Sequence, residues 1–81
     1  MPTESEIRAF WRGVCAERAR VADGMAEEAF AQADDNQALG AEGGVNGQIR
    51  ESYARRYAAY YAAGCAYEHE AQVYRAWAEE P

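Results

Sequence analysis

An apolar repeat in the second half of the chain fits only one type of structure. From residue 53 to residue 78, positions occupied by tyrosine, glycine or alanine recur at alternating steps of four and three residues. They are Tyr53, Tyr57, Tyr60, Gly64, Tyr67, Ala71, Tyr74 and Ala78. A spacing of 3.5 residues that persists over more than three heptads is typical of a helix packed along its whole length against another helix.

The limits of this helix are predicted at about residues 47 and 79. Asn46 is a suitable N-cap, because its side chain can accept hydrogen bonds from the first free amides of a helix. The segment contains no proline and one internal glycine, Gly64. Nothing therefore stops the helix before Pro81.

An earlier helix is predicted from about residue 4 to residue 34. Thr3 and Glu6 have the spacing of a capping box, in which each side chain accepts from the backbone amide of the other residue. Apolar residues then follow at steps of three and four, as on one face of a helix. We expect this face to be buried: Ile7, Phe10, Trp11, Val14, Cys15, Val21, Ala22, Met25 and Ala29.

Residues 36–47 are expected to connect the two helices. This segment holds four of the seven glycines and two asparagines, so its helix propensity is low and turns form easily. The chain is therefore predicted to be a single all-α domain, residues 1–81, built as an antiparallel helical hairpin of two long helices.

A second apolar stripe beside the repeat indicates that one neighbouring helix does not cover the second helix. No charged residue occurs in the eleven positions from Tyr57 to Tyr67. Dimerisation into a four-helix bundle is the simplest way to cover so wide an arc. The alternative is a three-helix monomer in which Gly24 breaks the first helix. The predicted homodimer interface consists of Tyr57, Tyr60, Tyr61, Gly64 and Tyr67.

Composition also favours an oligomer or a bound partner. Leu, Ile, Val and Phe number only nine against nineteen alanines, and an 81-residue chain buries a modest fraction of its surface. The sequence has neither a signal peptide nor an apolar stretch long enough for a membrane span. We expect a cytoplasmic protein without membrane association.

The two cysteines and the single histidine permit other interpretations. A connection centred near residue 41 places Cys15 opposite residue 67, within a turn of Cys65, so a disulfide is geometrically possible. His69 follows one turn after Cys65, and a redox- or metal-linked helical protein is the alternative function. Free, packed thiols are preferred, because cytoplasmic disulfides are rare and structural zinc sites usually contain close ligand pairs. No cofactor or metal is predicted.

Catalysis and direct nucleic-acid binding are disfavoured. No serine or threonine lies in a motif that exposes a nucleophile, and the glycines lack the Lys-Ser/Thr of a phosphate-binding loop. Six tyrosines could stack on bases, but a net charge of −6 opposes phosphate binding. We expect a protein that is not an enzyme and does not bind nucleic acid directly.

The position of the charge carries the functional prediction. No basic residue occurs between Arg20 and Arg50, whereas the remainder of the chain is neutral. The net charge is thus expected at the connected end of the hairpin. A charge run is often only a solvated surface, but an acidic surface can also steer a basic partner. The candidate partner-binding residues are Asp23, Glu27, Glu28, Asp34, Asp35 and Glu42.

The predicted function is a small acidic protein-interaction module or inhibitor that binds a basic protein partner. Nucleic-acid-binding proteins are frequent examples of such partners. An acidic chain that occupied their nucleic-acid site would act in the manner of small phage anti-defence proteins.

Overall fold

The computed structural model describes residues 1–42 and 46–80 and consists of two helices. Helix α1 spans Glu4–Glu42 and helix α2 spans Gly47–Glu79. They pack side by side as a hairpin 66 Å long, 17 Å wide and 12 Å thick. The all-α hairpin is confirmed, and α1 continues through Gly24 rather than breaking there. Dimerisation into a four-helix bundle stays a prediction.

Side chains cap the N-termini of both helices, and of the capping box predicted for α1 the structure shows the bond to Thr3. The Glu6 amide donates to Thr3 Oγ1 at 3.1 Å. At the start of α2, Asn46 Oδ1 accepts from the amides of Gln48 and Ile49, both at 3.1 Å. These amides have no acceptor within the helix, so the caps determine where each helix begins.

The C-terminal end of α1 differs from the prediction. The helix ends at Glu42 rather than near residue 34, so the predicted connection over residues 36–47 is too long. Residues 43–45 of that connection lie outside the described residues. Before this gap residues 36–42 belong to α1, and after it Asn46 is an extended N-cap and Gly47 begins α2.

Packing against α2 accounts for the extra turns of α1. Asn36 is buried, and its Nδ2 donates to the Gln32 carbonyl at 2.8 Å. One turn later, Gly40 lies so close to α2 that a Cβ at this position would be 3.2 Å from Tyr53 Cβ. Tertiary contact therefore outweighs the low propensity of these residues, since most helical stability in proteins comes from packing.

Small residues form the contact between the helices. On α2 the predicted 3.5-residue repeat faces α1, with Gly64 and Ala71 buried and most of its tyrosines half-buried. The buried positions of α1 also alternate at steps of four and three. They are Cys15, Ala19, Ala22, Ala26, Ala29, Ala33 and Asn36.

The predicted buried face of α1 is only partly right. Cys15, Ala22 and Ala29 are buried as expected. The larger members of the predicted face are exposed, namely Ile7, Phe10, Trp11, Val21 and Met25. The tyrosines of α2 already fill the interface, and a close-packed contact leaves no space for a second set of large side chains.

The register of the hairpin is also shifted from the prediction. The ring centroids of Trp11 and Trp77 are 6.5 Å apart, and those of Phe30 and Tyr61 are 5.5 Å apart. Because α1 is longer than predicted, each of its residues faces a later residue of α2 than a connection centred near residue 41 would give.

Gly24 provides a test of the continuous α1 helix. A Cβ at this position would meet nothing within 4 Å. Gly24→Ala should therefore raise the free energy of unfolding by about 0.5–1 kcal/mol, because alanine has the higher helix propensity and restricts the unfolded chain. Urea denaturation followed by circular dichroism measures the change, and a decrease would contradict a regular helix at this residue.

Gly64 should respond in the opposite direction. A Cβ at Gly64 would lie 2.6 Å from Phe30 Cε1 and 2.7 Å from Phe30 Cδ1. Gly64→Ala should lower the free energy of unfolding by about 1–3 kcal/mol, because the ring or the helix must move. The same substitution in a Phe30→Ala background should cost much less. Equal costs in both backgrounds would show that the ring does not limit the approach of the helices.

Candidate interaction surfaces

Most exposed large apolar side chains lie on one broad side of the hairpin. Residues seven positions apart lie in one row along a packed helix. A contact between one member of such a row and the other helix therefore shows on which broad side of the hairpin the whole row lies. Shallow grooves on this side are lined by Val21, Met25, Tyr60, Tyr67 and Tyr74, and the groove beside Val21 has a volume of about 260 Å³. We define the apolar side by these residues together with Ile7, Trp11, Leu39, Ile49 and Trp77.

Aromatic and cation–π contacts link the large side chains of the apolar side at the end of the hairpin opposite the connection. The Tyr74 and Trp77 rings meet edge to face with their centroids 5.6 Å apart, and Trp77 also contacts Trp11. The Arg18 guanidinium lies 5.7 Å from the centre of the Tyr74 ring and donates to its hydroxyl at 3.4 Å. Such contacts hold large side chains in place at the surface without burying them.

The opposite broad side is acidic. Asp23 of α1 forms an ion pair with Arg75 of α2, and Phe30 packs edge-on against Tyr61. Glu68 lies in the same row of α2 as Tyr61 and Arg75, seven residues from each. We define the acidic side by Asp23, Glu27, Phe30, Asp34, Tyr61, Cys65 and Glu68.

In the folded hairpin the net negative charge lies in the middle and not at the connected end, where it was predicted. Arg50, Arg55 and Arg56 begin α2 beside the last turns of α1, where Arg56 stacks 5.4 Å from the centre of the Tyr53 ring. These cations offset Glu42 and Glu51, the latter through an ion pair with Arg55 at 3.0 Å. The expectation that the net charge gathers around the connection is therefore wrong.

The middle of the hairpin holds a belt of carboxylates. Residues 21–36 of α1 and the facing residues 57–72 of α2 contain seven acidic residues and no arginine or lysine. We call these seven the central belt: Asp23, Glu27, Glu28, Asp34, Asp35, Glu68 and Glu70. Five of them were predicted as partner-binding residues. Glu68 and Glu70 were missed, although the absence of arginine between Arg56 and Arg75 could have indicated them.

The structure does not bring the two cysteines together. Cys15 is fully buried and Cys65 is exposed, and both are free. Cys15 lies one turn before Ala19, which shares a groove with Ala78, more than ten residues beyond Cys65 along α2. A disulfide within the hairpin is thus excluded, and packing is confirmed for the Cys15 thiol alone. Within the part of the chain that the structure describes, no three metal-binding side chains, His69 included, form a cluster.

The five residues of the predicted dimer interface occupy different parts of the hairpin. Gly64 is buried in the contact between α1 and α2, and Tyr57 and Tyr67 are half-buried beside it. Tyr60 is exposed on the apolar side and Tyr61 on the acidic side. The close approach that glycine allows is therefore used within the hairpin, and the five residues do not form one outer surface.

Comparison with known proteins assigns no function to these surfaces. The chain matches no protein-family model, and no curated protein or solved structure matches it significantly. Neither of the two described helices has a stretch apolar and long enough to cross a membrane. The function must therefore be argued from the acidic and apolar sides themselves.

The burial of the cysteines predicts their reactivity. Cys65 should react within seconds to minutes with an aromatic disulfide reagent in the native protein, whereas Cys15 should react only after the hairpin opens, because a buried thiol is inaccessible to the reagent. The native protein should therefore release one equivalent of chromophore and the unfolded protein two. Cys65→Ser should abolish the fast reaction, and a fast reaction that persists in this variant would contradict the burial of Cys15.

Proposed function

We propose that this chain is a small acidic protein-interaction module that binds a basic protein partner through its acidic side. The observation that carries the proposal is the acidic side, where the central belt presents Asp23, Glu27, Asp34 and Glu68 and Arg75 pairs with Asp23 alone. The expected role is binding rather than catalysis. Its location is proposed to be the cytoplasm, a reducing compartment in which two unpaired cysteines are usual.

Concentrated charge of one sign favours rapid association with a partner of opposite charge. The potential around the belt is the sum over all of its carboxylates, so it acts at longer range than any single ion pair. Complementary charge chiefly raises the association rate and selects among partners. A basic surface is thus the partner that the belt attracts most strongly.

The acidic side also offers apolar contact area beside the carboxylates. Tyr61 is exposed, and its ring packs on Phe30 and stacks with Tyr57 at a centroid distance of 5.9 Å. Aromatic anchors at the centre of an interface commonly supply much of its binding energy, whereas exposed charges at the rim supply little. We therefore assign the affinity mainly to Tyr61 and Phe30, and the selection of a basic partner to Glu27, Asp34 and Glu68.

The density of charge along the belt supports an inhibitory role. Sixteen residues of α1 span about 24 Å at 1.5 Å per residue, and the acidic side carries four carboxylates over this length, about one per 6 Å. A protein surface that binds a nucleic-acid backbone would meet a row of like charge on this side, sparser than the phosphates of one DNA strand. We propose that the partner is a nucleic-acid-binding protein whose binding site the hairpin occupies.

The proposal predicts a defect in association when the acidic side is neutralised. The triple variant Glu27→Gln, Asp34→Asn and Glu68→Gln should slow association with the partner about tenfold at low salt, and salt near 0.5 M should remove the difference because exposed charges are then screened. The partner is first isolated from the native host on the immobilised wild-type chain. Its association rate is then measured by surface plasmon resonance.

A charge-matched variant outside the belt serves as the control. Glu42→Gln, Glu79→Gln and Glu80→Gln remove the same charge near the two ends of the hairpin and should leave the association rate nearly unchanged. The partner should also release an oligonucleotide when the wild-type hairpin is added. Equal binding by both triple variants and the wild type at low salt would refute the assignment to the acidic side, and simultaneous binding of hairpin and oligonucleotide would refute inhibition by occupancy.

A further inference from the structure

We propose that the apolar side is the interface through which two copies of this chain pack face to face. The proposal assigns the predicted homodimer to a defined surface. It depends on the proposed function only in that the acidic side must remain accessible to the basic partner. Of the eleven large apolar side chains that are exposed in the described residues, eight lie on the apolar side. Exposed apolar side chains that gather on one side of a protein often mark an interface, whereas single scattered ones are normal.

A single hairpin exposes more surface than a folded monomer of its mass, and the excess is large enough for an interface with one second copy. The chain exposes 6043 Å², whereas a folded monomer of 9.0 kDa is expected to expose about 4,800 Å². The excess is on the order of 1,200 Å², and a specific interface typically buries about 800 Å² or more on each partner. A side 66 Å long and 17 Å wide is large enough to provide this area.

The core within a single hairpin is too small to take up the large side chains. The buried apolar residues are Ala and Cys, and Cys15 is the largest side chain that is fully buried. Face-to-face packing would create a second core from Trp11, Val21, Met25 and Tyr67, as in a four-helix bundle. The thickness of 12 Å corresponds to a single layer of helices, and a stable domain normally has at least two layers.

An anionic membrane is not a suitable partner for this surface. Glu28 and Glu70 border the grooves of the apolar side, and the chain as a whole carries a net charge of −6. Anionic lipid would repel such a surface. Packing on the apolar side also leaves the acidic sides of both copies facing outward, so the dimer would present two acidic sides to its partners.

Both tryptophans of the chain lie on the apolar side and report on its burial without a label. Trp11 is 48% exposed and Trp77 is 42% exposed in the single hairpin. Dimerisation should therefore shift tryptophan emission to shorter wavelength and reduce acrylamide quenching as the concentration rises. Light scattering should give about twice 9.0 kDa, and the melting temperature should rise with concentration.

Two variants with similar exposure distinguish the sides. Val21→Arg, on the apolar side, should weaken the dimer about 100-fold or more, because a long, hydrated side chain would replace an apolar one inside the contact. Tyr61→Arg, on the acidic side, should leave the dimer intact. Val21 and Tyr61 are 54% and 49% exposed, so neither substitution disturbs the core within the hairpin. Circular dichroism of Val21→Arg checks that the helices persist.

Three results would overturn the proposal. They are a concentration-independent monomer, a dimer that Tyr61→Arg disrupts but Val21→Arg does not, and a dimer whose tryptophan quenching equals that of the monomer. Should Val21→Arg unfold, the wild-type quenching and melting data still decide the question. Binding of the partner to each variant separates the two proposals, since Val21→Arg retains the acidic side and the neutralised triple variant retains the apolar side.

Discussion

The close approach of α1 and α2 along stripes of small residues is the constraint on which the rest of the structure depends. Alanines of α1 meet a stripe of α2 that consists of tyrosines together with Gly64, Ala71 and Ala78. Gly64 under the Phe30 ring and Gly40 against Tyr53 mark the tightest points. A contact of this kind gains its stability from dispersion over many small contacts together with the partial burial of the tyrosine rings.

This constraint decides where the large apolar residues lie. Because the tyrosines of α2 occupy the interface, Trp11, Val21 and Met25 remain on the outside of a hairpin only one layer thick. Apolar surface left in water is unfavourable at roughly 25 cal/mol per Å². The same packing that defines the hairpin therefore creates the surface that we assign to a second copy.

The antiparallel register decides how the charge is distributed. Each helix has a long segment without arginine, and the register places these two segments side by side in the middle of the hairpin. The arginines that begin α2 lie instead beside the end of α1, where they offset its last carboxylate. An acidic side and an apolar side thus lie back to back, so that one can bind a partner while the other binds a second copy.

The sequence by itself determined the helical class, the N-terminal caps at Thr3 and Asn46, and the stripe of α2 that faces α1, because local hydrogen bonds and a 3.5-residue period depend only on nearby residues. It did not reveal the length of α1, since contacts such as Gly40 with Tyr53 oppose the low helix propensity of that segment. The length of α1 sets the register of the two helices. The register in turn separates Cys15 from Cys65 and places Glu68 and Glu70 in the central belt. Only the tertiary structure decided these features, because they depend on which residues of two distant segments lie side by side.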